Sequence, residues 1–321
     1  AHLIEVENLV KKYKNHTAVD QLSFRVEKGQ IYGFLGPNGA GKSTTMNILT
    51  GYIAPTEGSV KIGGFDITKD AEKAKSMIGY LPEVPPLYQD MTVAEYLKFT
   101  AHLKKVSKAD VNEQIKQICQ MVGITEVFDK LIRNLSKGYK QRVGLAQAII
   151  GFPDIIILDE PMVGLDPKQI IEIRELIKQL GEKHTIILSS HILSEISAVC
   201  DHIMIISNGR LVASEKPSQL VKLMSGLIQL QITVKGDEDA VITVFKDMGI
   251  QDYTMISPEE KDAVTVLIEM KEGGDLREDL FYHFADARLP IISMRRIEKS
   301  LEDIFLALTG EREEAEDESN L

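Results

Sequence analysis

The feature that most constrains this chain is a glycine-rich run between two stretches of regular pattern. Residues 36–43 read Gly-Pro-Asn-Gly-Ala-Gly-Lys-Ser, which fits the spacing G-x-x-x-x-G-K-S. The mostly apolar residues 29–35 before this run predict a short buried strand, and residues 44–50 after it predict a helix. A strand, a loop of this spacing and a helix in succession are typical of a phosphate-binding loop. The sequence therefore predicts an α/β fold in which this loop joins a strand of a parallel sheet to a helix.

The residue types in this loop suit a nucleoside triphosphate. Its glycines let successive backbone N–H groups converge on phosphate oxygens, and the helix N-terminus adds a partial positive charge. Lys42 would bridge the β- and γ-phosphates, and the hydroxyl of Ser43 would ligate Mg²⁺. The alternative, a glycine-rich turn with a structural lysine, is disfavoured because the motif and its context both fit. The predicted nucleotide contacts in the loop are Gly36, Asn38, Gly39, Ala40, Gly41, Lys42, Ser43 and Thr44.

Two acids follow a second apolar strand. Residues 155–158 read Ile-Ile-Ile-Leu, and Asp159 and Glu160 come directly after them. The carboxyl end of a parallel strand faces the nucleotide crevice of such folds. Asp159 would hold Mg²⁺ through water, and Glu160 would be the general base that aligns and polarises the attacking water. Because buried strands often end in an acid, this pair is informative only together with the phosphate-binding loop.

Composition limits the other classes of function. The chain has 321 residues, of which 44% are hydrophobic, and this length and content suit two folded domains. Its formal net charge of −11 argues against a general nucleic-acid binder. Its apolar stretches fall short of the roughly 18 uncharged residues that cross a membrane, so we expect no transmembrane segment in this chain. Cys119 and Cys200 lack metal-ligand spacing and are interpreted as buried thiols in a reducing compartment.

Hydrophobic periodicity gives the order of elements in the first part of the chain. The first two predicted strands alternate like edge strands of an antiparallel sheet, and the last two resemble a hairpin around Asn208 and Gly209. The predicted strands are residues 3–10, 20–28, 58–66, 155–158, 185–189, 202–207 and 210–214. The predicted helical segments are residues 92–121, with starts at Thr92 and near 107–110, and residues 136–151, 167–180 and 192–200.

The composition changes near residue 225, which we take as a domain boundary. Beyond it the pattern is strand, helix, strand, strand, helix, strand, an order that predicts a small ferredoxin-like α+β unit. The predicted elements are strands 228–235, 251–257, 263–270 and 290–297 and helices 237–248, 275–287 and 300–308. Residues 311–321 hold six acids and one base and are expected to form a disordered, solvated tail. The predicted domains are residues 1–224, with a helical subdomain at about 84–151, residues 225–310, and the tail 311–321.

Further motifs resemble those of the ATP-binding cassette (ABC) ATPases. Residues 135–142, Leu-Ser-Lys-Gly-Tyr-Lys-Gln-Arg, look like the signature sequence of that family. Residues 164–167, Gly-Leu-Asp-Pro, resemble its D-loop, and His191, preceded by two serines, resembles its switch histidine. Tyr13 matches the aromatic residue that stacks on adenine. Each motif alone has an ordinary structural explanation, but five in order over residues 3–215 leave little room for coincidence.

The resemblance implies a P-loop NTPase fold with a RecA-like parallel core, an antiparallel β subdomain and a helical subdomain. It also implies that two copies, or this chain and a related ATPase, close around ATP. Ser136 and Gly138 would then contact the nucleotide held by the other subunit. Asp166 of the D-loop would also contact nucleotide, and Glu160 and His191 would support hydrolysis together with Lys42 of the loop. ATP and Mg²⁺ are the implied cofactors, and separate transmembrane permease subunits are the implied partners.

Two positions depart from the pattern of that family. Lys137 replaces the first glycine of the signature, whereas Gly138, which close backbone approach needs, is retained. Glu83 occupies the Q-loop position, where the family has a glutamine that touches Mg²⁺ and couples the site to the membrane partner. A carboxylate also suits Mg²⁺, although it adds negative charge beside the phosphates. The alternative is that Glu83 is a surface acid.

Three segments indicate a subfamily within the ABC ATPases. They resemble the corresponding segments of ATPases of ABC-2-type exporters, among them gliding-motility-associated and multidrug-type ATPases. These segments are residues 81–93, 137–146 and 300–305. This predicts an ATPase that energises an exporter as a peripheral subunit on the cytoplasmic face of the cell membrane. Two alternatives stay open: a cassette that regulates or transmits force to a membrane complex without transport, and a soluble cassette ATPase of translation or DNA repair. The excess of acidic over basic residues argues against nucleic acid as a partner.

The C-terminal unit is expected to dimerise or to contact the permease, with a regulatory ligand site as the alternative.

Overall fold

A computed structural model describes residues 2–224, 228–256, 262–270 and 275–297. The described residues form two compact units, which divide between Pro217 and Ser218. The sequence places the boundary at 224/225, so the division in the structure falls slightly earlier along the chain. The domain limits given above stay a prediction. The predicted helix 300–308 and the acidic tail 311–321 lie outside the described residues.

The first unit alternates strands and helices along most of its length. Its strands are β1 (His2–Tyr13), β2 (His16–Glu27), β3 (Ile31–Leu35), β4 (Glu57–Ile62), β5 (Phe65–Asp66), β6 (Ile78–Leu81), β7 (Ile155–Leu158), β8 (Thr185–Ser190), β9 (His202–Ser207) and β10 (Arg210–Glu215). Its helices are α1 (Lys42–Leu49), α2 (Ala71–Ser76), α3 (Val93–Leu103), α4 (Val111–Val122), α5 (Lys137–Ile149), α6 (Pro167–Gly181) and α7 (Leu193–Ser197). A further helix, α8 (Pro217–Met224), begins where the units divide. None of the helices in the described ranges is long and apolar enough to cross a membrane.

The larger sheet of the first unit brings its central strand ends to one edge. Its order is β10-β9-β3-β8-β7-β6, and every neighbouring pair except β10 with β9 is parallel. Strands β7 and β8 are buried along their whole length, as expected of a parallel sheet covered on both faces. Because the carboxyl ends of parallel strands meet at one edge, the phosphate-binding loop after β3, the acid pair after β7 and His191 after β8 lie close together.

The smaller sheet has the order β2-β1-β4-β5. Strand β1 pairs with β2 on one side and with β4 on the other, so it is an interior strand, and the prediction of an edge strand is wrong for β1. Alternation of apolar and polar residues reports that one face of a strand is buried; it does not report how many neighbours the strand has. The buried face of this sheet packs on β3 and α1 in one core with Ile4, Phe24, Phe34 and Met46.

Three elements, β6, α2 and α8, were not predicted from the sequence. Strand β6 has only four residues of mixed burial at the edge of the larger sheet, which is too short for a periodic pattern to show. Its parallel pairing with β7 nevertheless matters for the site. Glu83 follows β6 by two residues, so this pairing sets where the Q-loop position lies.

The second unit has the topology that the sequence predicts. Its strands are β11 (Ile228–Lys235), β12 (Tyr253–Ile256), β13 (Ala263–Met270) and β14 (Ile291–Ile297), and its helices are α9 (Glu238–Asp247) and α10 (Arg277–Asp286). The sheet order is β12-β13-β11-β14, and each neighbouring pair is antiparallel. This order, with the chain order β-α-β-β-α-β, is the ferredoxin-like split βαβ arrangement. Phe245 and Phe284 are fully buried in its core.

A lysine caps the C-terminal end of α5 in the helical segment of the first unit. Lys104, which follows α3, donates from Nζ to the carbonyl oxygens of Gln147, Ala148 and Ile150 at 2.8, 2.9 and 2.9 Å. The last carbonyl groups of a helix have no partner within the helix, and a cation there also suits the helix dipole. The contact therefore fixes α3 against α5, the helix that begins with the signature residues.

Replacing Lys104 by Met is expected to lower the free energy of unfolding by about 1–3 kcal/mol, because three carbonyl groups lose their donor. Denaturant unfolding measures the change. Lys105→Met is the control, because Lys105 pairs with Glu72 where the side chains are 81% and 84% exposed, and such pairs contribute little. Equal stabilities of the two variants would contradict the role of Lys104.

Candidate functional site

The phosphate-binding loop depends on glycine backbone geometry. Gly39 and Gly41 have φ angles of 81° and 102°, a region that favours glycine. A Cβ on Gly41 would lie 2.4 Å from the carbonyl oxygen of Ala18, so a side chain does not fit there. Helix α1 begins at Lys42, and its N-cap Gly41 makes no side-chain cap. The first N–H groups of α1 are therefore free to face a bound anion.

The side chain of Lys42 lies inside the loop. The residue is 6% exposed, and its Nζ donates to the carbonyl oxygens of Gly36 at 2.7 Å and Pro37 at 3.1 Å. The same Nζ lies 3.5 Å from Oε1 of Glu160. Lys42 thus places one positive charge between the loop and the acid pair. Ala40, which is 3% exposed, closes the loop by donating from its N–H to the carbonyl oxygen of Pro37 at 3.2 Å.

Asp159 connects the loop with the end of β7. Its Oδ1 accepts a hydrogen bond from Oγ of Ser43 at 3.3 Å, and the residue is 3% exposed. Burial raises the pKa of Asp159, while hydrogen bonds from Ser189 and Ser43 oppose that rise. A hydroxyl and a carboxylate oxygen side by side are ligands that Mg²⁺ prefers.

Glu160 contacts the loop lysine and His191. Nδ1 of His191 lies 3.1 Å from Oε2 of Glu160, and Glu160 is 7% exposed. The φ angle of Glu160 is 48°, in the left-handed region that is uncommon for a residue other than glycine. Such backbone strain is typical of functional sites and persists only where the surroundings fix it. The contacts with Lys42 and His191 are part of those surroundings.

Lys42, Ser43, Glu160 and His191 open into one cleft of about 620 Å³, whereas Asp159 contacts the lining residue Ser43 without lining the cleft itself. Tyr13 and Glu83 line it together with the loop, Glu160 and His191. Three further lining residues were not singled out from the sequence, because they belong to no motif and reach the cleft only through the fold; they are His16, Ala18 and Val163. The complete lining is Tyr13, His16, Ala18, Asn38, Gly39, Gly41, Lys42, Ser43, Thr44, Glu83, Glu160, Val163 and His191.

Three predicted nucleotide contacts lie elsewhere in the first unit. Gly138 and Asp166 line a second cleft of about 680 Å³, and the two sets of lining residues, taken over the described ranges, share no member. Asp166 caps α6 by accepting a hydrogen bond from the N–H of Gln169 at 2.9 Å. A Cβ on Gly138 would lie 2.6 Å from Nε2 of Gln169, so any larger residue at this position would displace the end of that side chain. Ser136 is the exposed N-cap of α5.

The oxygen donors around the loop fit a cation that is held mainly through phosphates. Among the residues that the structure describes, no three His, Cys, Asp or Glu side chains form a cluster that could hold a metal ion alone. Mg²⁺ usually keeps several waters and takes one or two protein oxygens plus phosphate oxygens. Ser43, Asp159 and Glu83 are of the type that such a site uses.

Comparison with known proteins shows the family. The family described as ABC transporter matches residues 19–163. The chain is 32% identical over 310 residues to the linearmycin resistance ATP-binding protein LnrL of Bacillus subtilis, and the match covers 96% of this chain and 98% of that protein. The chain belongs to the ATP-binding proteins of ABC transporters. This ABC ATPase binds and hydrolyses ATP to energise a transporter, as the sequence predicts.

Two more comparisons extend the likeness. The ABC ATPase is 31% identical over 318 residues to the Nod factor export ATP-binding protein I of Cupriavidus metallidurans, a match that covers 96% of this chain and 97% of that protein. A solved dimeric structure of an ATP-binding cassette in a post-hydrolysis state, bound to ADP and Pi, is 25% identical with a TM-score of 0.61. That match covers 66% of this chain and 98% of the cassette. The P-loop NTPase fold is thereby confirmed. The matches to LnrL and to the Nod factor export protein each cover 96% of this chain.

Replacing Glu83 by Gln is expected to raise the Mg²⁺ concentration for half-maximal ATP hydrolysis by about tenfold, because a carboxylate that lines the cleft becomes a neutral amide. The rate of ATP hydrolysis at saturating Mg²⁺ should equal that of the unchanged protein. A Mg²⁺ titration of ATPase activity measures both quantities. Glu113→Gln, which changes an exposed acid on α4, is the control. An unchanged titration for Glu83→Gln would make Glu83 a surface acid.

Proposed function

We propose that this ABC ATPase powers an ABC-2-type exporter through ATP-driven closure of a dimer. The observation that carries the proposal is the division of one chain's predicted nucleotide contacts between two clefts. One cleft has the loop, Glu160 and His191, and the other has Gly138 and Asp166. If the first cleft of one chain faces the second cleft of its partner, both nucleotide sites become complete, and a symmetric pairing does this twice. The solved dimeric cassette supports such a pairing.

The loop side of each site would bind the nucleotide. Tyr13, which is 46% exposed, would stack on adenine, and the N–H groups of the loop would hold the phosphates. Lys42 would exchange its contacts with the carbonyl oxygens of Gly36 and Pro37 for the β- and γ-phosphates. Ser43 and Asp159 would hold the cation, with Glu83 beside them. When bound, Mg²⁺ would neutralise charge that develops on the phosphates.

Glu160 would act as the general base for the attacking water. Once Lys42 turns to the phosphates, the carboxylate of Glu160 is left to align the water and accept its proton. His191, whose Nδ1 lies 3.1 Å from Oε2 of Glu160, would hold that carboxylate in place by donating from Nδ1. The partner's α5 would present its N-terminus, at Ser136, to the same phosphate. Hydrolysis then removes the group that both chains share, and the dimer opens.

A separate membrane permease is the proposed partner. Val84 and Tyr88, which follow Glu83 in the sequence, are 79% and 54% exposed, and these two apolar side chains would be available for contact with a protein partner. A permease segment bound there would couple its position to the cation side of the site through Glu83. The ATPase would be a peripheral subunit on the cytoplasmic face of the cell membrane. The Nod factor export relative favours export as the direction.

The second unit would add to either the contact between two ATPase chains or the contact with the permease. Phe281 and Tyr282 on α10 are each 57% exposed, and Ile292 on β14 is 43% exposed. We propose that this unit joins two ATPase chains or binds the permease. The paired chain would be a second copy or a related ATPase.

The variant Glu160→Gln is expected to hold ATP and to persist as a dimer, because the loss of the base leaves the shared nucleotide uncleaved. Light scattering after size-exclusion chromatography in ATP and Mg²⁺ should give twice the monomer mass. Glu57→Gln, an exposed acid on β4, is the control and should behave as the unchanged protein. A Glu160→Gln protein that stays monomeric in ATP and Mg²⁺ would count against the paired arrangement.

Affinity purification of the tagged chain from detergent-solubilised membranes of its host should recover a polytopic membrane protein at a near-stoichiometric level. Val84→Asp should lose that protein, because a charge replaces an exposed apolar side chain of the proposed contact, while ATP hydrolysis continues. Val212→Asp, on β10, is the control, since Val212 is also partly exposed at 39% but lies away from Glu83 in the sequence. Recovery of the chain from the soluble fraction alone would contradict the permease partnership.

A further inference from the structure

Strand β8 ends in two adjacent serines that make different contacts. Successive side chains of a strand point to opposite faces, and both Ser189 and Ser190 are fully buried at 0% exposure. Ser190 donates from Oγ to Oε2 of Glu195 at 2.6 Å and accepts from the N–H of Ile192 at 3.0 Å, so it holds the turn after His191. Ser189 points instead to the acid pair at the end of β7.

The hydroxyl of Ser189 touches both acids at once. Its Oγ donates to Oδ1 of Asp159 at 2.5 Å and accepts from the N–H of Glu160 at 3.0 Å. A serine hydroxyl has one proton to donate and lone pairs to accept, so one side chain satisfies both groups. The register of the sheet explains the contact, because Leu158 of β7 lies opposite Leu188 of β8 and the next residues along are Asp159 and Ser189.

The contact lies at the strained part of the backbone. Glu160 adopts the left-handed φ of 48°, and its N–H is the group that Ser189 accepts from. The peptide groups before and after this position are also hydrogen-bonded. The N–H of Asp159 donates to the carbonyl oxygen of Leu81 at 2.8 Å, and the carbonyl oxygen of Glu160 accepts from the N–H of Val163 at 3.2 Å. A strained conformation persists where the surroundings over-determine it, and Ser189 is one of these three restraints.

We propose that Ser189 is a positioning residue for ATP hydrolysis, which fixes the carboxylate of Asp159 and the backbone of Glu160 relative to each other. The proposal rests on the functions proposed above for these two acids. Ser189 does not reach the cleft itself, as it is absent from the lining described for that cleft. Its effect would therefore pass through Asp159 and Glu160. Groups that hold a metal-binding carboxylate in place typically change activity by about tenfold to a hundredfold when they are removed.

A matched control lies on the same face of the same strand. Thr185 is 1% exposed, and its Oγ1 accepts a hydrogen bond from the N–H of Gly29 at 2.8 Å at the opposite end of β8. Because it lies four residues before Ser189, it faces the same side of the sheet. Thr185→Val removes a buried hydroxyl of β8 and leaves an N–H without its acceptor, but it does not touch the acid pair.

The test compares Ser189→Ala with Thr185→Val in the full chain. Ser189→Ala is expected to lower kcat for ATP by about tenfold to a hundredfold with a change in KM below about threefold, because the chemical step loses alignment and binding does not. Hydrogen–deuterium exchange, measured without nucleotide, should be faster at the Glu160 amide in Ser189→Ala, since that N–H loses its acceptor. Thr185→Val should keep the kcat and the Glu160 exchange of the unchanged protein.

Three outcomes decide the proposal. A wild-type kcat for Ser189→Ala, or an equal loss of kcat in Thr185→Val, would overturn it, the second because the effect would then be a general one of β8. Unchanged exchange at Glu160 would overturn it as well. If Ser189→Ala is too unstable to assay, Ser189→Cys replaces it, because a thiol is of similar size and a weak donor, and the same loss of kcat is expected. Glu160→Gln is measured alongside to separate the proposed role of Glu160 from that of Ser189. An active Glu160→Gln protein would refute Glu160 as the general base. An inactive Glu160→Gln protein together with a fully active Ser189→Ala protein would refute only the positioning role of Ser189.

Discussion

The ion pair between Lys42 and Glu160 is the contact on which the rest of the site depends. The two side chains are 6% and 8% exposed and lie 3.5 Å apart, although they follow β3 and β7, which are separated by β8 in the sheet. A buried charge without a partner is costly, so neither residue can lose the other without a replacement. When a phosphate attracts Lys42 away from Glu160, the phosphate becomes the partner of the lysine and His191 remains the partner of the carboxylate. In this arrangement, nucleotide binding itself prepares the proposed base.

Much of this arrangement could be predicted from the sequence, because its parts are local. The glycine spacing of the loop, the apolar run before Asp159 and the serines before His191 each place a chemical group at the end of a strand. The parallel sheet then needs only its general geometry to bring those ends together. The ferredoxin-like unit was also predictable, since the succession of its elements fixes the sheet order that β11 to β14 adopt.

The remaining parts depend on pairings that no local pattern records. The interior position of β1 follows from its second neighbour β4, and the position of Glu83 follows from the pairing of β6 with β7. His16 enters the cleft only because the start of β2 passes beside the loop. The hydrogen bonds of Ser189 with Asp159 and Glu160 arise from the register of β7 against β8. A sequence pattern with a period of two residues gives the face of a strand but not its partner or register.

The most direct test of the central claim, that each nucleotide is cleaved between two chains, is the ATPase activity of a mixture of two inactive variants. Lys42→Ala disables the loop side, and Ser136→Asp places a negative charge where the phosphate would dock while keeping a good N-cap for α5. Each variant alone should be inactive. Mixed dimers would hold one intact site, so the mixture should recover about a quarter of the normal rate after random pairing. A mixture no more active than its separate components would contradict the claim, because a site built within one chain cannot be repaired by a partner.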